Sequence, residues 1–159
     1  MDVIIQGIQG LFSNWKGIQP DRIEKLPQSG SDRIYFRLYA QGQTFIAAHN
    51  LNIKENNTFI HFSKHFQQKK LPVPEMFCVN EEQTIYIQQD LGTHSLLNKL
   101  EEHGHNEYVY GLFEKSLHNL VQIQIKGNDG LDYNQCLTAK EFGKQAILSD
   151  LLYFKYYFL

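Results

Sequence analysis

The chain has little that would tie it to a membrane, to nucleic acid or to an oxidising compartment. No apolar run in its 159 residues approaches the roughly 20 that a bilayer span requires. Positive charge is not in excess: 15 Lys and Arg stand against 17 Asp and Glu, a formal net charge of -2. Electrostatics therefore give no reason to expect nucleic acid as a partner. The opening residues, MDVIIQGIQGLFSNW, carry an acid at position 2 and no basic cluster, unlike a secretory leader. Cys78 and Cys136 are the only cysteines and have no C-x-x-C spacing, so they read as buried thiols of a cytoplasmic protein. Internal repeats and low-complexity tracts are missing as well.

What is present is core material. Apolar residues make up 42% of the chain, with eleven Phe, nine Tyr and one Trp, enough for one ordinary domain and against wholesale disorder. Ile4, Ile8, Leu11 and Trp15 fall at helical spacing and predict a helix over 3–16, ended by Gly17. Strands are expected near 21–27, 33–40, 43–49, 75–79 and 84–89, because β-rich runs alternate there with turn residues. Asn57 or Thr58 is expected to cap a helix over 58–70 that carries Phe59, Phe62 and Phe66 on one face. After Gly92 the pattern is helical, with Thr138 and Glu141 at capping-box spacing before the last helix. Strands segregated from later helices predict an α+β fold, the sheet in 1–92 and the helices in 93–159.

The last stretch, LSDLLYFKYYFL, is apolar nearly all round and lacks a glycine cap. It is expected to expose Leu151, Leu152, Phe154, Tyr157 and Phe158 in some combination. We read it as part of a protein that continues past Leu159, or as a self-association surface over 151–159 that is poorly ordered until covered.

Two short segments invite chemistry. In LPQSGSDRIYFRLY, the turn Ser29, Gly30, Ser31, Asp32, Arg33 lies between two strands. It is either a hairpin turn in which Asp32 caps its own backbone, or an anion nest of converging N–H groups. His61 and His65 sit one helical turn apart but have no evident third ligand, so packing outweighs a metal role, as it does for His103 and His105. The sequence has no Gly-x-Ser-x-Gly, Walker or zinc pattern.

Three stretches in order, LPQSGSDRIYFRL, LPVPEMF and IYIQQDLGTHSLLNKL, resemble the aminoglycoside phosphotransferase/choline kinase superfamily. Within it the likeness is greatest to kinases that phosphorylate N-acetylmuramate or N-acetylglucosamine at the anomeric position, and it covers roughly residues 10–159. The resemblance implies a protein-kinase-like small lobe over 1–92 and the first helices of a larger lobe over 93–159. It implies ATP with Mg²⁺, and a small-molecule acceptor, a sugar. Ser29, Gly30, Ser31, Asp32 and Arg33 would lie over the phosphates, with Arg33 or Arg37 adding a charge-assisted contact. The backbone of Gln89, Asp90 and Leu91 would meet adenine, with Asp90 alternatively capping the next helix. Ile34 or Phe36, with Ile46 and Ile87, would line an apolar slot, against the commoner fate of plain core packing.

The sequence also departs from that pattern. Many kinase-like folds carry a lysine on strand 3 paired to a glutamate on the next helix. Ala47, Ala48 and His49 stand there instead, the helix expected at 58–70 has no acid, and Lys54 is the nearest substitute. No His-x-Asp catalytic loop occurs, and the Asp-Gly of GNDGLD reads as a turn rather than a metal-binding triplet. The expectation is the nucleotide-binding part of a phosphotransferase, inactive by itself and with no catalytic residue of its own. The alternative is a non-catalytic kinase-like module kept for protein interaction.

Overall fold

The helical spacing of Ile4, Ile8, Leu11 and Trp15 makes the first element, α1 (Asp2–Lys16), and buries Ile8 and Phe12 completely. The computed structural model describes residues 2–28, 31–138 and 141–159. Gly17, at φ +74°, closes the helix by donating its N–H to the Ser13 carbonyl at 2.8 Å.

Five strands follow: β1 (Arg22–Lys25), β2 (Ile34–Ala40), β3 (Gln43–His49), β4 (Met76–Val79) and β5 (Ile85–Gln89). They form one sheet in the order β1-β2-β3-β5-β4, with every neighbouring pair antiparallel. With five α-helices among the described residues, the fold is α+β. The β2–β3 turn is two residues long, and Gln41 and Gly42 both have positive φ, 50° and 75°. That matches the right-handed twist of the strands and fixes Ala40 opposite Gln43.

Side chains alternate between the two faces of the sheet. Phe36, Leu38 and Ala40 of β2, Phe45 and Ala47 of β3, and Ile85 and Ile87 of β5 pack with Ile8 and Phe12 of α1. Trp15 stacks on Phe77 at 4.8 Å, and Phe12 meets Phe45 edge-on at 5.5 Å. The helix lies so close that a Cβ on Gly7 would sit 2.8 Å from Ile85 Cδ1. On the opposite face the register aligns Arg37, Ile46 and Gln88 in one row, and Tyr35, Ala48 and Tyr86 in the next.

The second helix, α2 (Ile53–Gln68), begins five residues earlier than the pattern predicts. Its cap is Asn52, whose side chain accepts the Glu55 N–H at 3.2 Å, and not Asn57 or Thr58. The opening turns are polar yet inward-facing, which hides them from a hydrophobic pattern. Asn56 is fully buried and donates to the carbonyls of Asn50 and Gln83 at 2.8 and 2.7 Å. Phe59 stacks on Tyr86 at 5.2 Å, which seats α2 on the second face of the sheet.

The helix α3 (Leu96–His103) starts with a reciprocal Ser95–Asn98 capping box, and Asn106 caps α4 (Glu107–Asn128). Helix α4 crosses α2 at Gly127, where an added Cβ would lie 2.8 Å from the Phe66 ring. A 3-10 turn at Tyr133–Gln135 then brings the chain back to α2, where the Leu137 N–H donates to Thr58 Oγ1 at 2.8 Å. The last helix, α5 (Lys144–Phe158), starts at Gly143 without a side-chain cap. The Thr138–Glu141 box predicted there does not form, because the segment ending at Thr138 is strapped to α2 instead. Leu151, Leu152, Phe154, Tyr157 and Phe158 are all exposed on this helix. Among the described residues no helix is long and apolar enough to cross a membrane.

Candidate functional site

The early start of α2 changes its chemistry. The sequence reading gave this helix no acid; the structure places Glu55 in its first turn, ion-paired to Arg33 just before β2. Arg33 is only 11% exposed. Its guanidinium lies 5.3 Å from the Phe59 ring centre and 5.9 Å from that of Tyr86. The second Glu55 oxygen accepts from the Asn50 amide at 3.2 Å. Burial opposes the charge on Arg33, but its hydrogen bond to the Tyr35 hydroxyl and its electrostatic interactions with Tyr86, Tyr35 and Glu55 outweigh it and raise its pKa further. Around it are donors without acceptors: Arg33 Nε and the hydroxyl of fully buried Tyr86 have no hydrogen-bond partner among the described residues.

At the other end of the same face, Arg37 holds Asp90. Its Nε donates to Asp90 Oδ2 at 2.6 Å and its Nη2 to Oδ1 at 3.2 Å. A further bond runs from Nη2 to the Gly92 carbonyl at 3.0 Å, and Asp90 Oδ1 accepts the Gly92 N–H at 2.9 Å. Asp90 therefore shapes its own loop and does not cap α3, whose cap is Ser95. Burial alone would raise the Asp90 carboxyl; bonds from Arg37, the Gly92 backbone and the Thr44 hydroxyl overcome it and lower its pKa.

The clasp has a consequence for the backbone between its ends. Gln89 N–H is committed to the Glu75 carbonyl at 2.8 Å, so it is not a free donor to a ligand. Leu91 is 71% exposed, and among the described residues neither its N–H nor its C=O is hydrogen-bonded.

The predicted apolar slot is divided by the sheet. Ile34, Phe36 and Ile87 belong to the α1 core, with Phe36 1% exposed, so none of them shares a surface with Ile46. Ile46 lies on the α2 face between Arg37 and Gln88, whose amide oxygen is buried without a partner among the described residues. Of the predicted phosphate turn, Ser29 and Gly30 lie outside the described residues. Ser31 and Asp32 are exposed, and Gln28 donates to the Ser31 carbonyl at 2.9 Å.

His65 pairs with the Gly127 carbonyl at 2.8 Å and ties α2 to α4. His103 sits edge-on to Tyr108, and His105 faces Tyr110. Lys54 is exposed in the first turn of α2. Cys78 is half-buried, and burial pushes its thiol up to about 11; Cys136 is buried. No three His, Cys, Asp or Glu side chains come together among the described residues to hold a metal ion. Among the described residues Mg²⁺ would therefore find no side-chain cage. No protein-family model matches the chain, and no curated protein matches it.

Proposed function

We propose that the chain is the nucleotide-binding lobe of an ATP-dependent small-molecule phosphotransferase, kinase-like in architecture, whose acceptor is a sugar or amino sugar. The observation that carries this reading is Leu91, an exposed residue with an unpaired N–H and C=O, held in place by the Arg37–Asp90 clasp beside Ile46. The adenine edge presents one acceptor next to one donor, and a residue whose own N–H and C=O are both open can meet the two. Ile46 supplies the apolar side of such a site. Mg²⁺, carried by the nucleotide, neutralises phosphate charge in this chemistry. The chain contributes binding and orientation, and it is expected not to turn over ATP alone.

A second reading, a non-catalytic kinase-like module that serves protein interaction, is favoured by Ala47, Ala48 and His49 on β3, where a phosphate-binding lysine is expected. A thermal melt with adenosine and with Mg-ATP separates the two. Ligand at ten times its dissociation constant raises stability by about 1.4 kcal/mol, so binding of millimolar affinity registers at about 10 mM ligand. The nucleotide reading predicts a shift that Leu91→Pro, which deletes the N–H, abolishes. No shift with either ligand favours the interaction module.

A further inference from the structure

The group around Arg33 has more hydrogen-bond donors than acceptors. A guanidinium carries five N–H donors, and each tyrosine hydroxyl adds one. Arg33 Nη2 meets Glu55, Nη1 reaches only the Tyr35 hydroxyl at a marginal 3.5 Å, and Nε has no partner among the described residues. The Tyr86 hydroxyl, fully buried beside it, faces the Tyr35 hydroxyl but makes no hydrogen bond of normal geometry among the described residues. Glu55 is the one carboxylate paired to this cation, and its other oxygen is turned to Asn50 and Asn52. Burying donors unpaired costs roughly 1–3 kcal/mol each, so such a group is set up for an acceptor that arrives with a ligand.

We propose that Arg33, with the hydroxyls of Tyr35 and Tyr86, forms a phosphate-binding site on the α2 face of the sheet, in which Glu55 is a positioning residue that fixes the guanidinium. The proposal rests on the nucleotide reading and names the cation that β3 lacks. Phosphate oxygens are pure acceptors and match a fork of guanidinium N–H groups. The rings of Phe59 and Tyr86 flank Arg33, and Glu55 holds one of its nitrogens, so the donor direction is set before a ligand comes. Tyr86 remains a neutral O–H donor, because burial pushes its pKa well above the ordinary tyrosine value. The other arginines of the face are already engaged, Arg37 with Asp90 and Gly92 and Arg22 with Glu24 and the Tyr39 ring.

The test uses the chain with three probes: tripolyphosphate, adenosine and Mg-ATP, each read as a melting shift at matched ionic strength. Wild type should respond to all three. Arg33→Gln should weaken tripolyphosphate roughly tenfold, the loss of one charge-assisted contact, and leave the adenosine shift unchanged. Glu55→Gln keeps the cation and a hydrogen-bond acceptor but loses the ion pair, so it should weaken tripolyphosphate by less than Arg33→Gln does and leave the adenosine shift unchanged, an ordering that a general loss of fold would not produce. Lys54→Ala should change nothing. An undiminished tripolyphosphate shift in Arg33→Gln overturns the proposal while an adenosine shift leaves the nucleotide reading standing. An Arg33-dependent tripolyphosphate shift without an adenosine shift does the reverse. No shift with any probe removes both. Should Arg33→Gln fail to fold, amide shifts of the wild-type chain decide: tripolyphosphate perturbing Arg33, Tyr35, Glu55 and Tyr86 supports the site, and perturbation elsewhere overturns it.

Discussion

Arg37 and Asp90, 53 positions apart, meet at 2.6 Å with side chains only 13% and 4% exposed. The pair closes the loop that leaves β5 against the middle of β2. Removing one partner strands the other charge in a buried setting, so Arg37→Ala should cost about 3 kcal/mol in a denaturant titration. The Asp90 carboxyl is held below its ordinary value, so its stabilisation is present above the unfolded pKa of about 4 and fades as pH falls through the folded one. Asp90→Asn should flatten the acid limb of the stability profile in that window.

The helix start at Asn52 makes a second prediction. Asn52→Ala should destabilise by about 1 kcal/mol through the lost bond to the Glu55 N–H, while Asn57→Ala stays within about 0.5 kcal/mol. Equal effects of the two, measured by urea unfolding, would place the cap elsewhere.

Two glycines of α4 should respond with opposite sign. Gly127→Ala pushes a methyl into the Phe66 ring, and overpacking of about 1–3 kcal/mol outweighs the gain in helix propensity. Gly111→Ala, with open space around it, should stabilise by about 0.5–1 kcal/mol. Melting temperatures of the two variants check this directly.

Thr58→Val removes the acceptor of the Leu137 N–H while keeping the side-chain shape. A loss of about 1–2 kcal/mol is expected, with hydrogen exchange at Leu137 accelerated ahead of the sheet amides.

The sheet could be read from the sequence because each strand is bounded by its own turn chemistry. The faces of the strand residues were misread: the expected slot joined Phe36 and Ile87 to Ile46, whereas the two-residue Gln41–Gly42 turn pairs Ala40 with Gln43, which sets Ile46 opposite Arg37 and turns Phe36 the other way. The start of α2 was not readable either, since Asn52, Glu55, Asn56 and Thr58 carry the marks of a loop and are seated by hydrogen bonds that only the tertiary fold supplies. With that start missed, Glu55 was missed as well, and so was the partner of Arg33. Arg37 and Asp90 were both singled out in the sequence, but their pairing depends on strand order β2-β3-β5, which no local pattern encodes.

A nucleotide bound as proposed lies along the face between Leu91 and Arg33. An amide chemical-shift titration of the chain with Mg-ATP to about 10 mM, enough to register millimolar affinity, tests this placement most directly. Saturable shifts are expected at Leu91, Gly92, Ile46, Arg33 and Tyr35, with the α1 core residues Ile8, Phe12 and Phe36 unmoved. Shifts confined to the α1 side, or no saturable shift at Leu91 and Arg33, would contradict it.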